Sequence, residues 1–223
     1  MASSPPPNRL TRLQSEVLAA FFAREQRFFL TGGGALAGFY FGHRSTEDLD
    51  FFGPPGTDLA DAARSLDEAA RACGASLTPM QTHPDFRRLL AERGDESCIV
   101  DLVVDRAPVI DTTKQAFGAV RVDTLREIAA NKICTLLGRA EIKDLVDLEQ
   151  LLAHGQDLER ALLDAAKKDA GVDPATLAWL LEQVSIGPEA ALPGGVDPAH
   201  IAAFRDELTR RLRALAFAAA KKD

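Results

Sequence analysis

The sequence predicts an α+β protein, with a small mixed β-sheet flanked by helices and then an α-helical carboxy-terminal region. Three observations carry this. Between residues 27 and 104, short apolar runs are cut by glycine- and proline-rich turns, the punctuation of strands. From Asp123 onward only helical periodicity remains. The 223 residues, 46% hydrophobic and 26% charged, suffice for a full core and lack the bias of a disordered or fibrous chain.

The elements follow in order. Residues 1–9, rich in Pro and Ser, read as a disordered arm, and Leu10 to Glu25 carries apolar residues at helical spacing. Arg27 to Thr31 reads as a short buried strand, broken by Gly32, Gly33 and Gly34 before a helical stretch from Ala35 to Phe41. Asp48 to Phe52 alternates, so both aspartates share one strand face while Leu49 and Phe51 share the other. Asp58 to Cys73 is an amphipathic helix and Ala75 to Gln81 a strand. Phe86 to Ala91 and Cys98 to Val104 flank a polar turn and form a hairpin. Helices are expected at 124–139, 143–153, 157–169, 174–185 and 198–218, with Asp123, Asp173 and Asp197 as N-caps. The α/β core therefore covers 10–122 and the helical domain 123–223.

Composition narrows the function. No apolar run reaches the roughly 20 residues that cross a bilayer, and the start is not signal-like, so no membrane role and a cytoplasmic location are expected. Cys73, Cys98 and Cys134 lack metal-finger spacing and read as reduced core thiols. A net charge of -7 argues against a protein that coats nucleic acid. The basic run Arg205, Arg210, Arg211, Arg213, Lys221 and Lys222 reads first as a solvated helix face. His83, His154 and His200 read as surface residues, and His43 as a brace for its loop.

The chemistry concentrates early in the chain. Asp48 and Asp50 on one face repel each other, an arrangement favoured chiefly where a cation sits between them; Mg²⁺ or Mn²⁺ suits an all-oxygen site shared with phosphates. Gly32 to Gly34 lie where a strand passes into a helix, so backbone N–H groups are free to face a phosphate unobstructed. Asp101, inside the apolar run Cys98 to Val104, needs a partner or a metal, and serves as the third carboxylate of a phosphoryl-transfer site. Arg44, between the glycines and the aspartates, either reaches phosphate or braces the loop.

These residues resemble a known family. Phe29 to Ala37, which contains Thr31-Gly32-Gly33-Gly34, and Gly42 to Phe52, which contains Asp48-Leu49-Asp50, look like the signature of the AbiEii/AbiGii toxin family of nucleotidyltransferases. Ile128 to Ile133, Arg139 and Lys143 to Leu148 resemble its later motif. The resemblance implies a DNA polymerase β-like nucleotidyltransferase core. In it Asp48 and Asp50 are metal ligands and Lys132, Lys143 and Asp144 contact the nucleotide; the residues themselves add Asp101 to the metal set and Gly33, Gly34 and Arg44 to the nucleotide side. It implies a nucleoside triphosphate as substrate, a tRNA or protein hydroxyl as acceptor, and a cognate antitoxin as partner. The sequence departs from the family at Gly34, where a Ser or Thr hydroxyl is usual. That departure leaves open a catalytically weakened nucleotide-binding module, and a helical interaction protein is a further alternative.

Overall fold

The computed structural model describes residues 8–219 and 221; the expected arm up to residue 7, and Lys222 of the basic run, lie outside the described residues. Arg9, read as part of that arm, is instead tied down: its amide donates to the Ala37 carbonyl at 3.1 Å and its Nε to the Gly42 carbonyl at 3.2 Å. The chain divides into two compact units, one running to Arg106 and resuming over Thr112–Thr124, the other made of Ala107–Asp111 and Leu125 onward.

The first unit is built on a seven-stranded mixed sheet. Its strands are β1 (Phe29–Thr31), β2 (Asp48–Gly53), β3 (Ser76–His83), β4 (Phe86–Arg93), β5 (Glu96–Val104), β6 (Gln115–Phe117) and β7 (Val120–Val122), in the spatial order β3-β4-β5-β2-β1-β7-β6. The central pair β2 and β5 is parallel, and the β4–β5 hairpin turns on Gly94 and Asp95 as its polar turn predicts. The β6–β7 hairpin was not expected. Its strands are three residues each, too short for a period-two pattern to stand out, and β6 is exposed throughout.

One face of this sheet is apolar. Leu49, Phe51, Val100 and Leu102 are fully buried there, and Phe51 stacks on Phe21 of α1 (Arg12–Phe22) with ring centroids 4.8 Å apart. Phe28 and Phe22 close edge-on against the same pair. Helix α3 (Leu59–Ala72), N-capped by Asp58, packs against α1. Truncating a Phe of this cluster removes about 3–5 kcal/mol. Helix α1 is capped by Thr11 and Gln14 in a reciprocal box, and Gln14 Nε2 also donates 2.8 Å to the Thr46 carbonyl.

The glycines do not interrupt the chain as a separate turn. Helix α2 (Gly32–Ala35) starts at Gly32 itself and runs on into a π-helical turn, Leu36–Tyr40.

The second unit contains α4 (Leu125–Gly138), α5 (Ile142–Ala153), α6 (Leu158–Lys168), α7 (Pro174–Gln183) and α8 (Pro198–Ala219). Asp173 caps α7 through the Thr176 amide, with Pro174 at the first helical position, and Asp197 accepts from the Ala199 amide ahead of α8. Asp123, expected only to cap α4, belongs to the first unit; it is buried there and accepts 2.6 Å from Lys114 Nζ. Of the basic run, Arg205, Arg210 and Arg213 are paired with Asp206, Glu207 and Glu182, as a solvated helix face would be. No helix among the described residues is long and apolar enough to cross a membrane.

Candidate active site

Strand pairing sets one row of side chains across the sheet. Thr31 on β1 is opposite Asp50 on β2, Asp50 is opposite Asp101 on β5, and Asp101 is opposite Arg88 on β4. Residues directly opposite on neighbouring strands point to the same face, so the four side chains share the face away from Phe51. Asp48 lies two residues along β2 on that face, which is half-exposed where the other is buried. Adjacent strands stand about 5 Å apart, and at that separation two carboxylates near a protein surface repel by about 3 kcal/mol.

Asp101 and Asp48 are each held by a neighbouring side chain. Arg88 grips Asp101 with both arms of its fork, Nε to Oδ1 at 2.9 Å and Nη2 to Oδ2 at 2.7 Å. Asp101 is only 4% exposed, so the buried charge that the apolar strand made problematic has an internal cation. These hydrogen bonds hold Arg88 above the ordinary guanidinium value against the effect of burial, with the charges of Asp101, Asp48 and Asp50 adding to the shift. The Arg88 guanidinium also stands 5.7 Å from the centre of the Phe86 ring. Asp48 accepts 2.7 Å from the buried Thr46 hydroxyl. The donor chemistry fits a hard divalent cation, since oxygens alone face the site from two strands. The carboxylates are nonetheless not gathered: among the described residues no group of three or more His, Cys, Asp or Glu side chains could hold a metal ion.

The glycines divide by direction. Gly32 has φ +62°, and a Cβ there would overlap the Asp50 carboxylate, 3.3 Å from its Cγ. A Cβ at Gly33 would lie 2.6 Å from Arg44 Nη2 and 3.4 Å from Thr46 Oγ1. Arg44, buried and donating 2.9 Å to the Ser45 carbonyl, therefore brings its guanidinium close over Gly33. A Cβ at Gly34 would meet Leu49 and Leu30 side-chain carbons at 3.2 and 3.3 Å. The same Cβ would lie 3.5 Å from the Asp48 carbonyl oxygen, so position 34 stands between the apolar layer and the backbone of β2. Thr31 is also buried, and its hydroxyl meets no hydrogen-bond partner among the described residues.

The later motif forms its own constellation in the second unit. Lys132 on α4 is 6% exposed and its ammonium lies 2.8 Å from Asp144 and 2.6 Å from Asp147, both fully buried on α5. Burial alone would lower the lysine pKa, but Asp147 and Asp144 together outweigh it and hold the group above its ordinary value. Asp144 also accepts 3.2 Å from Arg139 Nε. Lys143 is half-exposed and pairs with Glu141 at 3.2 Å. Lys132 and Asp144 are thus a buried cross-link between α4 and α5 rather than the solvent-facing groups their residue types suggest.

Sequence reasoning missed Arg88, Thr46, Thr31 and Asp147. Arg88 carried a readable signal, since counting outward from the two-residue turn Gly94-Asp95 places it opposite Asp101. Thr46 carried none, because its role depends on how the loop folds back.

The family model described as nucleotidyl transferase AbiEii toxin, type IV TA system, matches residues 16–223. Among solved structures, JHP933 from Helicobacter pylori is similar with a TM-score of 0.58 at 18% identity, over 95% of this chain and 93% of that one. MenT4, a nucleotidyltransferase toxin from Mycobacterium tuberculosis, matches with a TM-score of 0.58 at 16% identity, over 89% of this chain and 80% of that one. At such identities the likeness speaks for the fold. A search of curated proteins gives no match. With a carboxylate row on a mixed sheet, a helix opened by glycines beside it and a family model spanning nearly the whole chain, the protein belongs to the AbiEii family of nucleotidyltransferase toxins of type IV toxin–antitoxin systems.

Proposed function

We propose that this nucleotidyltransferase is metal-dependent and moves a nucleoside monophosphate from a nucleoside triphosphate to a hydroxyl of an RNA or protein acceptor. The observation that supports it best is the register of Asp50 against Asp101, with Asp48 on the same face and Gly32 packed onto Asp50. In this reading Asp48, Asp50 and Asp101 hold Mg²⁺ or Mn²⁺. When bound, the cation supplies positive charge to the triphosphate and acidifies the attacking hydroxyl.

The chain's own groups do the rest. Asp101, buried at the centre of the row, accepts or orients the acceptor proton. Thr46 fixes the rotamer of Asp48 through its 2.7 Å hydrogen bond. Gly33 and Gly34 offer backbone N–H groups to phosphate, and Arg44, packed against Gly33, presents its guanidinium beside them. A cognate antitoxin and a cytoplasmic setting complete the reading. A binding module with faded chemistry is the alternative that Gly34 favours.

The test is incubation with each α-labelled triphosphate, Mg²⁺ or Mn²⁺, total tRNA and cell extract. Label should appear on a macromolecule, and the Asp48→Asn, Asp50→Asn double variant should abolish it. Label transfer that persists in the double variant rules out these carboxylates.

A further inference from the structure

We propose that Arg88 is an exchangeable internal countercation, which occupies Asp101 until a divalent cation takes its place and which then turns its fork to the triphosphate. This rests on the reading of Asp48, Asp50 and Asp101 as the metal-holding set.

Three observations lead there. Arg88 takes both oxygens of Asp101, at 2.9 and 2.7 Å, so it competes with an incoming cation for the same carboxylate. The two partners are unequally fixed: Asp101 is almost wholly buried in the central strand, whereas the Arg88 side chain is 35% exposed. When the pair opens, the arginine is therefore the member that moves. On its far side Arg88 is opposite Gln81 of β3, which offers no second carboxylate to receive it.

The chemistry of the exchange is balanced in charge. A buried carboxylate without a countercharge is unfavourable, so the metal-free protein needs a cation at Asp101, and Arg88 supplies it. A divalent cation brings more charge to the same oxygens and renders the arginine redundant. The freed guanidinium keeps a planar fork that matches a phosphate as well as a carboxylate. Arg88 would thus couple arrival of the metal to a phosphate contact, acting as a positioning residue through Asp101 and then directly on the substrate.

The experiment is a Mn²⁺ titration of the full chain without nucleotide, followed by the paramagnetic resonance of free Mn²⁺, for the wild type, Arg88→Gln, Arg88→Lys and Asp50→Asn. Removing the competitor should tighten Mn²⁺ binding by about tenfold in Arg88→Gln, the equivalent of one charge-assisted hydrogen bond, with Arg88→Lys between. The melting temperature should rise more on Mn²⁺ addition in Arg88→Gln than in the wild type, a reading that remains available if the metal-free variant is destabilised. The KM for the triphosphate should rise about tenfold in the same variant. Equal or weaker Mn²⁺ binding in Arg88→Gln, with Asp50→Asn still abolishing binding, overturns the exchange and leaves the metal reading standing. Mn²⁺ binding that Asp50→Asn leaves untouched overturns the metal reading, and the exchange with it.

Discussion

Gly32 and Asp50 are in such close contact that the Asp50 carboxylate occupies the space a Cβ at residue 32 would need. The glycine is doubly required, by this contact and by its φ of +62°. Gly32→Ala should destabilise the chain by about 2 kcal/mol and displace Asp50 from the row. Gly34→Ala meets leucine side-chain carbons at 3.2 and 3.3 Å and the Asp48 carbonyl oxygen at 3.5 Å, and should cost about 1 kcal/mol with transfer activity retained. Urea unfolding and labelled-nucleotide transfer on the two variants check both halves; equal loss of activity would mean the two glycines are not distinguished by direction.

Lys132 neutralises two fully buried carboxylates. Lys132→Met should therefore destabilise the protein by about 3–5 kcal/mol, since Asp144 and Asp147 are left without their shared cation. Adding Asp144→Asn and Asp147→Asn should recover part of that loss. Chemical denaturation measures it, and an unchanged midpoint in Lys132→Met would show that the lysine serves the nucleotide alone.

The fully buried Asp164 gives the second unit an acid-sensitive lock. Arg126 holds its carboxyl well below the ordinary aspartate range, against the opposing effect of burial, with help from Lys167 and Arg160. Because the folded-state value is depressed, this contribution is fully present above the unfolded value of about 3.9 and fades as pH falls from there through the folded one. Asp164→Asn should lose about 3 kcal/mol at neutral pH and show a flatter acid limb in its stability–pH curve. Parallel curves for the two proteins would contradict this.

Burial pushes the Cys98 thiol up to about 11, with a smaller contribution from the charge of Glu96. At pH 8 it is almost wholly protonated and shielded, so an aromatic disulfide reagent should modify it only on unfolding. Mass spectrometry after native labelling checks this, and rapid native modification of Cys98 would contradict it.

Much of this architecture was legible because it rests on short-range rules. Alternation placed Asp48 and Asp50 on one face of β2, and the hairpin turn fixed β4 against β5. The β6–β7 hairpin was invisible because three-residue strands carry no period, and α2 was misread because glycine ordinarily ends a helix rather than opening one. The buried cross-link of Lys132 was hidden for a different reason. Lysines on helices usually face solvent, and only tertiary packing reveals that α5 turns two carboxylates toward this one.

Gln14 is the tie that brings the first helix into the chemistry. Its side chain both closes the cap of α1 and holds the Thr46 carbonyl, while the Thr46 hydroxyl steadies Asp48. A fragment trimmed to the span of the family model, from residue 16, would keep every acidic residue of the row and lose this anchor. Such a truncation should leave the loop before β2 slack and Asp48 free to swivel, so where the amino terminus is cut decides whether an assay reports on the native machinery.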